Sequence, residues 1–389
     1  MSGPLDGLVV ADFTRVLSGP TATMFLGDLG ADVIKVERPG SGDDTRSWGP
    51  PFHEGNATYY LAVNRSKRSV ALDLTTEEGR EAARRLVRRA DVVVENFRPG
   101  VMSRFGLSYG EVSAENPGVV YCSISGFGSG KGAGRPGYDF IVQAAGGLMS
   151  FTGDEDGRPT KVGVALVDVL AGLHAIIGIL SAVREVARTG RGTHIEVNLL
   201  SSLLSSLANQ GSAYLSAGVL PRRLGNAHPS IAPYELLQTA DRSIAVACGT
   251  DDQFVVLCKV LGRPDLADDD RYATNAARVA HREALRRELE AQLVRRPAAD
   301  WLEEIDVAGV PVSPVNDLAE AFELAAQLDL APVQRLADSG GSSTQVVPPL
   351  RFDGQTPLLA RRPPGLGEHT DEVLAWLGII DTKDDGQTG

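Results

Sequence analysis

The sequence predicts an α/β protein in which helices cover both faces of a parallel sheet. Short runs rich in valine and isoleucine alternate with stretches that have helical periodicity, and this alternation recurs through the N-terminal half of the chain. The runs are continuously apolar instead of alternating with polar residues, which is typical of strands buried on both faces. Together, the alternation and the apolar runs indicate repeated βαβ units.

Capping residues and apolar runs mark the individual helices and strands. The first helix opens at Ser18, and the second and third carry the capping-box pairs Thr75 with Glu78 and Ser108 with Glu111. Strands are predicted at residues 8–13, 32–37, 70–74, 92–95, 119–125 and 193–197. Further helices are predicted at residues 138–149 and 199–215.

A second, smaller domain is predicted to begin near Pro221. Its strand lies at residues 244–248, and its helices lie near residues 252–261 and 282–294. The segment 338–344 is rich in glycine and serine and is predicted to be an exposed loop. A helix at residues 370–377 is expected to close the fold.

Composition restricts the classes of function. The 389 residues are 43% hydrophobic and 23% charged, as in a soluble globular enzyme or binding protein. The net charge of -12 argues against nucleic acid or an acidic membrane as a general partner. Cys122, Cys248 and Cys258 lack metal-site spacing, and no metal site is expected. Without a secretory signal pattern, the chain is expected to be cytoplasmic.

Asp168 requires an explanation because it lies in the apolar stretch 162–183. A buried carboxylate is costly unless it is hydrogen-bonded, paired or used chemically. A membrane span is disfavoured because it would contain both Asp168 and His174. The remaining interpretations are an N-cap for a buried helix over residues 169–183, and an N-cap that is also a nucleophile.

Other candidate groups are weaker. The glycine-rich run 126–134 fits no phosphate-loop template and is interpreted as a flexible or lid loop. His228, in a loop, is a candidate substrate contact. Basic residues near the predicted carboxyl ends of strands suit a phosphorylated nucleotide, although solvated surface cations would look the same; they are Arg38, Arg65, Lys67, Arg68, Arg98 and Arg104.

Five ordered blocks reveal a resemblance to a known family. They are residues 12–20 (DFTRVLSGP), 30–37 (GADVIKVE), 64–69 (NRSKRS), 95–100 (ENFRPG) and 365–370 (GLGEHT). Together they resemble the family III coenzyme A transferases over residues 5–378. The resemblance implies a discontinuous Rossmann-like domain of residues 1–215 and 325–389, a small α+β domain of residues 216–324, and a homodimer of interlocked chains.

The resemblance also implies the site. Asp168 matches the family's catalytic aspartate, and the substrates would be an acyl-CoA and a carboxylic acid, without a metal. The family's coenzyme A contacts correspond to Arg38, Leu72, Asn96, Phe97, Arg98, Arg104, Tyr138 and Asp139. In the implied ping-pong reaction, Asp168 first forms a mixed anhydride and then a thioester with coenzyme A. Amides at the N-terminus of its helix are expected to stabilise the oxyanion.

Departures from the family pattern bear on the substrate. Leu17 stands where formyl-CoA:oxalate members have glutamine, and the segment 226–231, with His228, replaces their glycine-rich loop. These differences disfavour formate and oxalate and favour a larger or more apolar acid, with Leu17 and His228 as its contacts.

Two other functions are open at this point. An α-methylacyl-CoA racemase would carry a His-Asp pair, but this chain has Tyr138-Asp139, and tyrosine is a poor base near neutral pH. A non-catalytic coenzyme A-binding protein is the other alternative. A nicotinamide oxidoreductase is disfavoured because its glycine fingerprint is missing.

Overall fold

The computed structural model describes residues 3–380. In chain order, the strands are β1 (Val9–Asp12), β2 (Asp32–Glu37), β3 (Phe52–His53), β4 (Asn56–Ala57), β5 (Lys67–Ala71), β6 (Val92–Glu95), β7 (Val120–Ser125), β8 (Thr193–Asn198), β9 (Tyr234–Gln238), β10 (Ser243–Ala247), β11 (Val312–Pro314), β12 (Val333–Asp338) and β13 (Gly341–Val346).

The α-helices are α1 (Ser18–Asp28), α2 (Thr58–Leu61), α3 (Glu77–Arg89), α4 (Val101–Arg104), α5 (Tyr109–Glu115), α6 (Asp139–Ala145), α7 (Leu148–Phe151), α8 (Leu166–Thr189), α9 (Leu199–Ser205), α10 (Ala208–Ala217), α11 (Asp251–Val260), α12 (Asn275–Ala280), α13 (Arg282–Leu293), α14 (Ala298–Val307), α15 (Leu318–Gln327) and α16 (Thr370–Trp376). Two 3₁₀ helices, Asp44–Ser47 and Pro264–Leu266, complete the described elements.

The main sheet has six strands in the order β5-β2-β1-β6-β7-β8, and every neighbouring pair is parallel. The prediction of an α/β fold with a parallel sheet is therefore confirmed. Successive residues of a strand enter opposite cores, so Val10 packs in one apolar cluster and Ala11 in the other. The first cluster contains residues of α1, α8 and α9, and the second contains residues of α3, α5 and α16.

The chain divides into two compact units. One comprises residues 1–148, 162–219 and 331–389, and the other comprises residues 149–161 and 220–330. The second unit contains the antiparallel sheet β11-β10-β9 and helices α11 to α15. This division differs from the predicted boundaries because residues 149–161 join the second unit, where Gly225 N donates to Gly153 O over 3.0 Å.

Local predictions need three corrections. Residues 338–344 were expected to form a loop but belong mostly to the β12–β13 hairpin, in which Leu336, Ser343 and Gln345 are buried. The N-cap of α3 is Thr76 instead of Thr75, and its hydroxyl accepts from Gly79 N. The segment expected to be one helix over residues 199–215 is broken into α9 and α10.

Helix α8 is the longest of the described helices. It is also the one described helix that is long and apolar enough to cross a membrane by length and composition. One side of it packs on α1 and the sheet, and Gly172 allows this because a Cβ there would lie 2.8 Å from Ser18 O. The prediction that Asp168 is the N-cap of this helix is wrong, because α8 begins two residues earlier, at Leu166.

Candidate active site

A cleft of about 300 Å³ opens at the carboxyl end of the parallel sheet. Residues 15, 16 and 18 follow β1, residues 96–99 follow β6, residue 125 ends β7 and residue 126 follows it, and Leu199 follows β8. Asp168 and Tyr138 complete part of its wall. Ligands of open α/β sheets bind at this edge, so the topology itself marks the cleft as the candidate site.

Asp168 lies in the first turn of α8 and is 8% exposed. The pKa of its carboxyl is raised from 3.8 to about 7, mainly by burial and also by the charge of Asp139, while a hydrogen bond from the Ser18 hydroxyl acts in the opposite direction. A carboxylate with this pKa is a stronger base than an ordinary aspartate and is half ionised at neutral pH. Such perturbed groups in clefts are typical of functional sites.

Asp139 supplies the cap that Asp168 was expected to provide. Its Oδ1 accepts from the amides of Val167 and Asp168 at 2.7 and 3.4 Å, and its Oδ2 accepts from Gln143 Nε2 at 2.6 Å. Gln143 Oε1 in turn accepts from Val162 N at 3.0 Å. The Asp139–Gln143 pair therefore fixes the start of the helix that carries Asp168.

This arrangement corrects the expectation that the first-turn amides of α8 stabilise an oxyanion. The amides of Val167 and Asp168 donate to Asp139, Leu166 N donates to Val164 O over 2.8 Å, and Val169 N donates to Ala165 O over 3.2 Å. All four amides are therefore engaged within the protein. Other donors in the cleft would have to serve that purpose.

Four predicted coenzyme A contacts line the cleft, namely Asn96, Phe97, Arg98 and Tyr138. The other four lie elsewhere in the same unit. Leu72 is buried in the apolar core, Asp139 caps α8, Arg104 ends α4, and Arg38 pairs with Asp44 over 2.7 Å. Contact of these eight residues with coenzyme A stays a prediction.

The two predicted acid contacts lie in different units. Leu17 precedes α1 as its N-cap and is half-buried. His228 belongs to the second unit, where its Nδ1 accepts from Ser230 N at 3.1 Å and its ring lies 5.2 Å from Tyr234. Their role as substrate contacts stays a prediction.

Three of the basic residues assigned to ligand binding are buried in ion pairs instead. Arg65 pairs with Asp28 over 2.7 Å, Lys67 pairs with Asp12 over 3.1 Å, and Arg68 pairs with both Asp32 and Glu372. The strand was placed at residues 70–74, but β5 begins at Lys67, which puts these cations at its amino end. The prediction that they form part of a ligand-binding edge is wrong.

Arg15 was missed by the sequence analysis although it lines the cleft. Its backbone is held from both sides, since Arg15 N donates to Asn96 Oδ1 over 2.8 Å and Asn96 Nδ2 donates to Arg15 O over 2.7 Å. Its guanidinium lies over the Phe97 ring, 4.7 Å from the ring centre. The rule used for the other cations, a position just after a strand, would have found it.

Two further groups next to the cleft were also missed. Burial raises the pKa of Tyr59, and the charges of Asp168 and Asp139 raise it further, so its hydroxyl lies within the field of both carboxylates. The ring of Tyr59 packs edge-on against Trp48 at 5.4 Å. Glu95 accepts from Phe97 N at 2.9 Å, and burial raises its pKa to about 7.

Metal ligands do not cluster in the part of the chain that the structure describes, where no group of three or more His, Cys, Asp or Glu side chains is placed to hold an ion. The three cysteines are buried and unpaired with one another.

Comparison with known proteins identifies the family of the chain. The family model described as CoA-transferase family III matches residues 5–370. The chain is 46% identical to succinate--glutarate CoA-transferase of Agrobacterium fabrum, covering 97% of this chain and 96% of the relative, and 46% identical to acetyl-CoA:oxalate CoA-transferase of Acetobacter aceti, covering 83% of each. The crystal structure of a CaiB/BaiF family protein from Brucella suis superposes with a TM-score of 0.87 at 46% identity, covering 97% of this chain and all of that one. The chain belongs to CoA-transferase family III.

Proposed function

We propose that this enzyme moves coenzyme A from an acyl-CoA to a free carboxylic acid through covalent intermediates on Asp168. The observation that carries the proposal is a buried carboxylate with a pKa of about 7 in the cleft at the carboxyl end of the sheet. A nucleophile that must attack a thioester near neutral pH needs a substantial ionised fraction and high basicity, and this pKa provides both.

The proposed reaction exchanges one thioester for another. The Asp168 carboxylate attacks the acyl carbon and releases the coenzyme A thiolate, which leaves a mixed anhydride. The thiolate attacks the aspartyl carbonyl, releases the donor acid and leaves an aspartyl thioester. The incoming carboxylate attacks that carbonyl, and the freed thiolate attacks the acyl carbon of the new anhydride. Asp168 is regenerated, and no external energy source is needed.

The substrates are proposed to include dicarboxylic acids. The names of the two relatives above refer to succinate, glutarate and oxalate, each of which has two carboxyl groups. Succinyl-CoA as the donor and glutarate as the acceptor are therefore the first pair to assay. Because one relative is named for oxalate, this acid belongs in the same panel despite the departure at Leu17.

Trapping experiments test the covalent step. The enzyme is mixed with succinyl-CoA or acetyl-CoA, quenched with hydroxylamine, digested and analysed by mass spectrometry. We expect a hydroxamate on the peptide that contains Asp168, and we expect the D168N variant to show none and to lose transfer. The exposed Asp6 provides the matched control, because D6N should label like the wild type. An unlabelled Asp168 together with solvent deuterium at the α-carbon of a branched acyl-CoA would instead indicate racemisation.

A second copy of the chain is proposed to cover an apolar face of the first unit. Large apolar side chains are exposed along α8, α9 and α10, namely Leu173, Ile177, Leu204, Tyr214 and Leu215. Large apolar side chains left exposed on neighbouring helices are typical of an interaction site. Sedimentation at equilibrium in detergent-free buffer should give twice the mass of the chain; a monomer there, with binding to lipid vesicles, would assign the face to a membrane.

A further inference from the structure

The guanidinium of Arg15 is an unusual feature of the cleft. Arg15 is half-buried, and its guanidinium forms no hydrogen bond or ion pair with any residue in the described range 3–380. The five N–H donors of arginine normally find acceptors when they leave water. The guanidinium lies over the face of the Phe97 ring.

The segment around Arg15 is built to hold it in place. Asn96 bonds to both the N–H and the C=O of Arg15, and Glu95 holds the amide of Phe97, on whose ring the guanidinium lies. The next residue, Val16, has a left-handed φ of 68°, which a β-branched residue rarely adopts, and its amide donates to Asp43 Oδ1 over 3.3 Å. Strain of this kind is retained where surrounding contacts impose it, often at functional sites.

The charges around Arg15 favour an added anion. Burial lowers the pKa of Arg15, and repulsion by Arg38 lowers it further, while Asp44, Asp43 and Glu37 act in the opposite direction. Each of these carboxylates already has a cationic partner: Asp44 pairs with Arg38, Asp43 with Lys35, and Glu37 with Arg46. The guanidinium is therefore left with unused donors in the cleft that also contains Asp168.

Resting on the proposed function, we propose that Arg15 binds the second carboxylate of a dicarboxylic acyl group while the thioester end lies at Asp168. Arginine offers two parallel N–H donors that match a carboxylate, and such a charge-assisted pair is strong when water is excluded. Ser18, whose hydroxyl contacts Asp168, lies three residues after Arg15 in the sequence. One short segment would therefore place a side chain near each end of the acyl group.

A phosphate of coenzyme A is an anion with the same donor requirements. Arg98 and Arg135 also line the cleft, but both are exposed, which suits a solvated phosphate at the rim. Arg15 is the half-buried member of the three and suits the smaller anion that is carried inside with the acyl chain. This difference in burial favours the carboxylate over the phosphate.

Binding measurements distinguish the carboxylate of the acyl group from a phosphate of coenzyme A as the anion at Arg15. They are made in the D168N variant, which is not expected to react with the thioester. Isothermal titration calorimetry is carried out with succinyl-CoA, with butyryl-CoA and with free coenzyme A. Butyryl-CoA has the same chain length as succinyl-CoA but a methyl group in place of the second carboxylate. We expect R15Q to weaken succinyl-CoA binding about tenfold to a hundredfold, with little effect on butyryl-CoA and coenzyme A.

Two variants complete the design. R15K keeps the charge but not the planar donor pair, so it should recover part of the preference for succinyl-CoA. R191Q removes an exposed arginine from the turn after α8 and should bind all three compounds like its parent. Binding in D168N that is unchanged by R15Q would overturn the proposal.

The remaining outcomes are equally distinct. An equal loss for all three compounds in R15Q would assign Arg15 to a phosphate of coenzyme A and overturn the assignment to a carboxylate. If D168N bound none of the compounds and wild-type Asp168 also remained unlabelled in the trapping experiment, the proposed function itself would fail. Wild-type labelling with an unaffected R15Q would reject the role of Arg15 alone.

Discussion

The D168N variant should be more stable than the wild type, and the difference should grow with pH. Asp168 has a pKa of about 7 in the folded protein and an ordinary value of 3.8. Between these values, the folded protein retains a proton that the unfolded chain has released. Stability falls with pH wherever the folded state binds more protons, so the Asp168 carboxyl lowers the stability of the wild type progressively from about pH 4 to pH 7. Asparagine has no proton to lose and avoids that loss.

The size of the effect follows from the shift in pKa. A difference of one in the pKa corresponds to about 1.36 kcal/mol of free energy. The difference between about 7 and 3.8 therefore gives about 4 kcal/mol at most. Relaxation of the cleft and water entry reduce the penalty, and about 2–4 kcal/mol is the expected range at pH 8. For a unit of this size, 1 kcal/mol corresponds to roughly 2 °C in the unfolding midpoint. We therefore expect D168N to melt roughly 4–8 °C above the wild type at pH 8.

Thermal unfolding at pH 5, 6, 7 and 8 provides the assay, with circular dichroism as the signal. D6N, which changes an exposed carboxylate of the same unit, should follow the wild type at every pH. The reasoning would be refuted if the difference between D168N and the wild type were the same at pH 5 and pH 8, because only a titrating group gives a pH-dependent gap.

The remaining predictions concern the surroundings of Asp168. In D139N, the amide oxygen can still cap α8, but the negative charge beside Asp168 is gone. The midpoint of kcat/KM against pH should therefore move below pH 7 by on the order of one pH unit. An unmoved midpoint would exclude the charge of Asp139 as a cause of the raised pKa of Asp168. In G126A, the new Cβ would lie 2.3 Å from the Cα of Gly137, so unfolding free energy should drop by about 1–3 kcal/mol and coenzyme A affinity should fall in calorimetry. G130A, with no atom near its Cβ, should match the wild type, and equal behaviour of the two variants would contradict the steric argument.

The βαβ core could be predicted from the sequence because its signals are local. Apolar runs identified β1, β2 and β6 closely, and the capping box of Ser108 with Glu111 is present at α5. The sheet order was not deducible in this way, because it depends on pairings between distant segments. The β12–β13 hairpin was missed because its composition is that of a loop, although its two strands pair in an antiparallel ladder and bury Leu336, Ser343 and Gln345.

The candidate site was predicted less completely because the partners of its charges are distant in sequence. Arg65, Lys67 and Arg68 were candidates for ligand contacts or solvated surface cations, but their carboxylate partners lie on segments 36 to 304 residues away. Conversely, the partners of the Arg15 backbone come from Asn96, 81 residues away. A local pattern shows that a charge exists, but only the fold shows whether it is already neutralised.

The surroundings of Asp168 bear on the two interpretations that the sequence left open, both of which made this residue an N-cap. A carboxylate that serves mainly as an N-cap accepts hydrogen bonds from the amide N–H groups of the first helical turn. Asp139 has that role here, since it accepts from the first-turn amides of α8. Asp168 instead lies buried beside a second carboxylate, and its pKa is raised. The ionised fraction near pH 7 is reduced only about twofold, while the remaining carboxylate is more basic and less solvated, which favours a nucleophile over a structural cap.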